Sequence, residues 1–348
     1  MEEVPFVSIV IPTLGKTKYL KGVVKTAAKL DYGLENFEMI IIGDYETNRI
    51  KRCIEIAKRG NVNIRTIYKK VPAGHKRNIG VEKAKGEIIA FTDDDTLLRE
   101  DWLNNAVKCI EKDTEFVGVG GPNFTPEEEL PFAKAVGRIF GSKFLFSFRY
   151  TNKRNKAVEI DHNPTCNYII KKRVFEDVEF DEKLWPGEDV EFDIRLKKRG
   201  YKILYSPDVV VWHHRRSRPI EFLKQMFNYG TTRAMVTRMH PNSFHLRYYL
   251  FLFASIIMFG LYAIPLSEQI GIEFFKNQIV FGRTIQSLVP ITIPLGITIL
   301  YFCILGLAGL LIGKQTKSIK QALYAPIVMF IQHFGYSIGL IYGHLKRT

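Results

Sequence analysis

Three long stretches without charged side chains, all in the last hundred residues, constrain this chain more than any other feature. They cover residues 248–266, 288–313 and 322–343, and His333 is their only residue of the Asp, Glu, Lys, Arg and His types. Each is long enough for a helix across a hydrocarbon core, which takes about 20 residues. Buried helices of a soluble core seldom run this long without charge, so we expect three membrane crossings.

Basic residues around these stretches predict which side of the membrane each part faces. The loop at 314–320 contains three lysines and is expected to be cytoplasmic, because lysine and arginine are enriched in cytoplasmic loops. Counting back two crossings puts residues 1–246 in the cytoplasm, and the N-terminus lacks a secretory pattern. Counting forward puts Lys346 and Arg347 outside, against the same rule, unless one segment is re-entrant or interfacial. The prediction is a multi-pass membrane protein with a cytoplasmic catalytic domain.

Charge divides the chain into three parts. Residues 247–348 hold only eight basic and two acidic residues, which leaves 42 basic and 34 acidic residues in the first 246. We predict a catalytic domain at 1–215, a basic juxtamembrane or interfacial segment at 216–246 and a transmembrane region at 247–348. Basic residues near a membrane attract anionic lipid by about 1 kcal/mol each. Because the basic segment lies beside a bilayer, binding to anionic lipid explains it better than binding to nucleic acid. We therefore expect membrane lipids as partners and no nucleic acid.

Short apolar runs alternate with helical stretches through the first 120 residues. The expected strands are 7–11, 37–42, 63–68, 87–91 and 116–120, and the expected helices are 19–30, 49–59, 75–85 and 102–111. This alternation predicts an α/β fold with a Rossmann-like, mostly parallel sheet covered on both faces, followed by the all-α transmembrane region.

Polar residues follow three of these strands, where parallel sheets bind ligands. Thr13 follows the first, Asp44 the second, and the acidic triplet 93–95 the fourth. Alternate residues of an extended chain face the same way, so Asp93 and Asp95 can share one ion. Their oxygens suit Mg²⁺ or Mn²⁺. From the residues alone, an acidic turn that caps the following helix is an equal alternative.

Several segments together resemble family 2 glycosyltransferases of the GT-A fold. They are VSIVIPT at 7–13, IIIGD at 40–44, KRNIG at 76–80, AKGEIIAFTDDD at 84–95, GGP at 120–122 and GEDVEF at 187–192. The resemblance covers roughly residues 6–215, and the order and spacing of the segments agree throughout.

The resemblance implies a donor site for a UDP- or GDP-linked sugar with Mn²⁺ or Mg²⁺. The residues implied for donor binding are Pro12, Thr13, Asp44, Arg77, Asp93 and Asp94, and those for the metal are Asp93 and Asp95. Pro12 and Thr13 would line the nucleotide pocket, while Arg77 would approach the phosphates. Gly43 replaces the first of two acids that are usual in the family, which leaves uridine and guanosine both open.

A second acidic turn, Gly187-Glu-Asp, opens another helix. Acidic residues are favoured at a helix N-terminus, and that explains Glu191 and Asp193 better than it explains this turn. The resemblance implies that Asp189 is the general base, in an inverting displacement, and that Glu188 orients the acceptor.

Tandem histidines end the last strand-like run. A histidine here completes the metal site in related transferases, and of His213 and His214 we favour His214. The candidates for binding acceptor or phosphate are Asn167, Arg215, Arg216, Arg218, Gln225 and Arg233.

The segment 225–233 bears on processivity. Processive relatives carry a Gln-x-x-Arg-Trp signature here, and this chain has Asn228 and Tyr229 in place of Arg and Trp. We therefore expect a membrane-anchored, non-processive transferase that acts on a polyprenyl phosphate or a lipid-linked glycan. The alternatives are a nucleotidyltransferase, although the glycine-rich loop after strand one is missing, and an inactive membrane scaffold.

Overall fold

The computed structural model describes residues 4–142, 156–270 and 292–346. Contacts divide the chain into two compact units, Met1–Arg216 and Ser217–Thr348. The division lies one residue after the predicted end of the catalytic domain.

The first unit is a three-layer α/β domain. Its strands are β1 Val7–Pro12, β2 Phe37–Gly43, β3 Ile64–Tyr68, β4 Ile88–Thr92, β5 Thr96–Leu98, β6 Phe116–Gly120, β7 Asn123–Phe124, β8 Val158–Ile160, β9 Asn167–Lys171, β10 Lys202–Tyr205 and β11 Val211–His213. Its helices are α1 Leu20–Ala27, α2 Asn48–Arg59, α3 Ala73–Lys83, α4 Trp102–Lys112, α5 Pro131–Gly141 and α6 Glu188–Lys198. Every strand and helix predicted for the first 120 residues is present.

The main sheet has eight strands in the order β3-β2-β1-β4-β9-β6-β10-β8, and β5, β11 and β7 form a second, three-stranded sheet. Four of the seven pairings in the main sheet are parallel, and β9 runs antiparallel to both β4 and β6. The sheet is therefore more mixed than the alternation of strands and helices predicted, because β8 and β9 come after that alternation ends.

Alternate residues of the central strands feed two separate cores. Ile9 and Ile11 of β1 pack with side chains of α1, α2 and α4 on one face. Val10, between them, packs on the other face with Val81 of α3 and Phe192 of α6. This period of two is what a strand buried on both faces requires.

The second unit is helical. Its helices are α7 Pro219–Met239, α8 Leu250–Ile270, α9 Thr292–Thr316 and α10 Ile319–Leu345. Within the described residues, two segments are long and apolar enough to cross a membrane, Pro294–Thr316 and Ile319–Leu345. These overlap the second and third predicted crossings, apart from residues 288–291, which lie outside the described residues. The first predicted crossing falls on α8, and three crossings remain a prediction.

Glycines let α7 and α10 pack backbone against backbone. A Cβ at Gly339 would collide with the carbonyl oxygen of Phe227, and a Cβ at Gly230 with that of Tyr336. Close helix approach of this kind depends on small residues at the contact.

Gly339→Ala should destabilise the helical unit by at least about 2 kcal/mol, because the added methyl has no space against α7. Gly306→Ala on α9 is the matched control, since a Cβ there meets nothing within 4 Å. It should be neutral, or stabilising by up to about 1 kcal/mol through helix propensity. Thermal unfolding in detergent, followed by circular dichroism, compares the two. Equal melting temperatures would contradict the close packing.

Candidate active site

Strand order brings the polar residues after three strands to one edge of the sheet. Because β2, β1 and β4 are parallel neighbours, Asp44, Thr13 and the triplet 93–95 all follow their carboxyl ends. The Thr13 hydroxyl donates to Asp94 and accepts from the backbone N–H of Gly15 at 2.8 Å. Two of the residues predicted for donor binding, Thr13 and Asp94, are therefore in direct contact.

Lys76, in the first turn of α3, links Thr13 to Asp44 although no role was predicted for it. Its ammonium donates to the carbonyl oxygen of Thr13 at 2.7 Å and pairs with Asp44. The side chain is 2% exposed, and Pro12 beside Thr13 is buried at the end of β1. The one sequence signal was its place in the KRNIG segment, directly before Arg77.

Arg77 links the donor side of the site to α6. One guanidinium nitrogen donates to Glu188 at 2.5 Å and another donates to Asp93 at 3.0 Å. The side chain is 5% exposed, and its guanidinium carbon lies 5.8 Å from the centre of the Phe180 ring. Arg77 is thus held between two carboxylates, and its predicted approach to the donor phosphates remains a proposal.

Two carboxylates and one imidazole form a group that fits a divalent cation. The ligand atoms of Asp93, Asp95 and His213 all lie within 4.8 Å of one another. Two oxygens and one imidazole nitrogen are a suitable donor set for Mn²⁺ or Mg²⁺. We call these three residues the metal group. They would hold the ion, which would offset negative charge on a bound diphosphate.

The imidazole of this group belongs to His213, whereas His214 was the predicted ligand. β11 pairs antiparallel with β5, the strand that directly follows the acidic triplet. Successive side chains of a strand point to opposite sides, so only one of two adjacent histidines can face the triplet. His214 instead pairs with Glu129 and stacks on Tyr19, with ring centres 3.8 Å apart.

The charges of this group are strongly coupled. Burial lowers the pKa of His213, but the carboxylate of Asp95 outweighs it and raises the pKa to about 10. Burial raises the pKa of Asp95, but His213 outweighs it and lowers the pKa to about 2. Burial, followed by the charge of Asp95, raises the pKa of Asp94 to about 7. His213 and Asp95 therefore carry opposite charges at neutral pH, 3.0 Å apart, and His213 must release its proton to bind a cation.

The acidic turn predicted to hold the base begins α6. Gly187 has a φ of +99°, a left-handed conformation that glycine adopts readily. Glu188 is 6% exposed and bound by Arg77, whereas Asp189 is half-buried and accepts a hydrogen bond from the adjacent Val190 N–H at 2.8 Å. Of the two acids, Asp189 has the carboxylate that is not taken up by Arg77.

Asn167 has a packing role. It is 1% exposed, accepts from the Trp102 indole at 2.8 Å and donates to the carbonyl oxygen of Val209 at 2.9 Å. Both ends of the amide are used inside the domain, which argues against the predicted contact with the acceptor.

The predicted phosphate-binding residues fall in both units. Arg215 donates to the backbone and side-chain oxygens of Asn123 and contacts His213 at 3.1 Å, so it supports the metal group. Arg216 lies 3.5 Å from Asp95 and is 48% exposed. The other three, Arg218, Gln225 and Arg233, belong to the second unit. There Arg233 lies over the Tyr248 ring at 4.1 Å, and Gln225 donates to Tyr229 at 3.3 Å.

A family model described as Glycosyl transferase family 2 matches residues 8–179. These residues are a family 2 glycosyltransferase domain. The match confirms the predicted family and the predicted glycosyltransferase class.

Two curated relatives extend beyond this domain. A Methanococcus voltae protein, the dolichyl N-acetyl-alpha-D-glucosaminyl phosphate 3-beta-D-2,3-diacetamido-2,3-dideoxy-beta-D-glucuronosyltransferase, is 25% identical over 334 residues, which covers 89% of this chain and 99% of that protein. Glycosyltransferase AglE of Haloferax volcanii is 26% identical over 65% of this chain and 72% of that protein.

A solved structure shares the fold. The mannosyltransferase PcManGT from Pyrobaculum calidifontis, in complex with GDP-Man and Mn²⁺, matches with a TM-score of 0.60 at 15% identity. The match covers 99% of this chain and 88% of that one, and it confirms a GT-A domain followed by helices.

Arg77→Met should cost the family 2 domain about 3–5 kcal/mol of stability without metal, because Asp93 and Glu188 lose their shared partner. Mn²⁺ should restore part of the loss by compensating Asp93. Arg65→Met is the control, since Arg65 pairs with the buried Glu38 away from the metal group. Thermal shift with and without Mn²⁺ measures both, and equal rescue of the two variants would contradict the link.

His213→Gln should weaken Mn²⁺ binding at least tenfold, because it removes one of the three ligands. His214→Gln, which affects the contacts with Glu129 and Tyr19, should leave it within twofold. Isothermal titration calorimetry measures the affinity of both variants for Mn²⁺. If His214→Gln is the variant that loses the ion, the predicted His214 is right and the register argument fails.

Proposed function

We propose that this protein is a metal-dependent, inverting, non-processive glycosyltransferase that moves a single sugar from a UDP- or GDP-linked donor to a lipid-linked acceptor. The observation that carries the proposal is the Asp93–Asp95–His213 group at the carboxyl edge of the sheet, joined through Arg77 to the acidic turn that holds Asp189.

The donor end of the site is built from residues beside this group. Thr13 and Asp44 bind the nucleotide, and Lys76 holds the Asp44 carboxylate in position. Arg216, which is half-exposed and close to Asp95, is the cation best placed to contact the diphosphate. Preorganised positive charge there stabilises the nucleoside diphosphate as it leaves.

Asp189 takes the proton from the acceptor hydroxyl as that oxygen attacks the anomeric carbon. Glu188 is excluded from this role because its carboxylate is bound by Arg77 at 2.5 Å. A single displacement inverts the anomeric centre and needs no covalent intermediate with the enzyme.

The acceptor is a sugar already joined to a polyprenyl phosphate. One support is the Methanococcus voltae relative, matched over nearly its entire length, whose name gives a dolichyl-linked sugar phosphate as the acceptor. The other is the pair of apolar helices, which would place the enzyme at the membrane where such a lipid lies. The ion is Mn²⁺ or Mg²⁺, and the soluble domain works on the cytoplasmic face.

The test uses the full chain in lipid with Mn²⁺, a panel of UDP- and GDP-sugars, and polyprenyl phosphate with or without a first sugar. Mass spectrometry should show one donor extending the lipid-linked sugar by a single residue. Extension of the bare phosphate alone would correct the acceptor, and no turnover with any donor would refute the transferase.

Asp189→Asn should bind the donor with unchanged affinity but lower turnover by at least about a hundredfold, because it cannot take the acceptor proton. The matched control is Glu191→Gln on the same helix, where Glu191 pairs with Arg195. It should keep turnover within a few-fold. Measurable turnover by Asp189→Asn near the native rate would place the base elsewhere.

A further inference from the structure

α7 and α10 run parallel in a fixed register. Three contacts define it: Gly335 meets Leu223, Gly339 meets Phe227, and Gly343 meets Thr231. The offset is 112 residues in all three pairs. At the end of the pair, Arg238 of α7 donates to the carbonyl oxygens of His344 and Lys346, at 3.2 and 2.9 Å. The two helices therefore lie at the same depth wherever they touch.

This register decides whether α10 crosses a membrane. The same offset sets Pro219, the first residue of α7, beside Ile331, which is near the middle of α10. If α10 crossed, the start of α7 would lie at the centre of the bilayer. Three exposed charged residues, Arg218, Glu221 and Lys224, would then sit in hydrocarbon.

That placement is costly. A charged side chain at the centre of a crossing helix costs about 2.5–3.5 kcal/mol on insertion scales. If the charges of α7 are instead kept out of the hydrocarbon, only about the first 12 residues of α10 can enter it. At 1.5 Å per residue they reach about 18 Å. A crossing needs about 30 Å. Either way, a transmembrane α10 conflicts with its partner.

The surface of α10 shows what it contacts instead. One face packs on α7 and α9, while large apolar side chains on the other face are exposed at helical spacing, namely Ile327, Phe330, Phe334, Ile338, Ile341 and Leu345. On α9, exposed apolar residues such as Ile297, Phe302 and Leu310 lie on several sides of the helix, a surface that suits lipid chains. A helix with one apolar stripe and basic residues at its ends, here Lys320 and Lys346, suits the plane of a membrane interface.

We propose that α10 lies in the membrane interface beside α7 instead of crossing the bilayer, with its exposed apolar stripe among the acyl chains. The C-terminal end of α10 then stays on the side of the membrane where α7 begins. This placement also removes the conflict between Lys346 and the preference of basic residues for the cytoplasmic side.

The test measures depth along the stripe. Leu323, Phe334 and Leu345 are 66%, 51% and 75% exposed, and each is replaced by cysteine in the full chain carrying Cys303→Ser. The variants are labelled with a fluorophore in vesicles of phosphatidylcholine and phosphatidylglycerol, and brominated lipids quench the label according to depth. The parent with Cys303→Ser alone corrects for Cys53, Cys109 and Cys166.

An interfacial α10 should give three equal, shallow depths, within about 4 Å of one another. A crossing α10 would put the Phe334 label about 15 Å deeper than both others, since eleven residues span about 16 Å, and that result overturns the proposal. As a second measurement, the circular dichroism spectrum of each labelled variant reports that the protein is folded. The outcome is independent of the proposed function, which a crossing helix would leave intact.

Discussion

The site depends on one buried guanidinium between two carboxylates. Arg77 joins Asp93, on the loop after the strand that supplies the metal group, to Glu188, in the first turn of the helix that carries the proposed base. Without Arg77 these acids would repel each other in a poorly solvated place, since burial raises the pKa of both. The same contact that stabilises the fold therefore fixes the distance between the proposed donor and acceptor ends of the site.

The tandem histidines show where sequence reasoning ends. A motif indicates that an imidazole is needed, but two adjacent residues satisfy it equally. The pairing of β11 with β5 selects His213 and turns His214 towards Glu129 and Tyr19. Such a register is a long-range property, because β5 and β11 are more than a hundred residues apart in the chain. The role of Asn167 is also set by long-range contacts, because its amide is hydrogen-bonded to the Trp102 indole and to the carbonyl oxygen of Val209.

The helical unit makes the same point for membranes. Length and composition mark α10 as a possible membrane crossing. They do not reveal that α7, which carries charged residues, packs against the second half of α10. Depth in a bilayer is a property of the packed pair, because neither α7 nor α10 can move without its partner. A lipid-linked acceptor would meet such an enzyme at the headgroup level, where its phosphate lies.

The sequence by itself determined the α/β domain, its family and the apolar character of the C-terminal region. These follow from local patterns: buried runs, strand ends that carry acids, and charge-free stretches. Only the tertiary structure decided that Lys76 holds Asp44, that Arg77 links two acids, that His213 faces Asp93 and Asp95, and that α10 is paired with α7. Each of these depends on contacts between residues far apart in the chain, for which a single sequence carries no periodic signal.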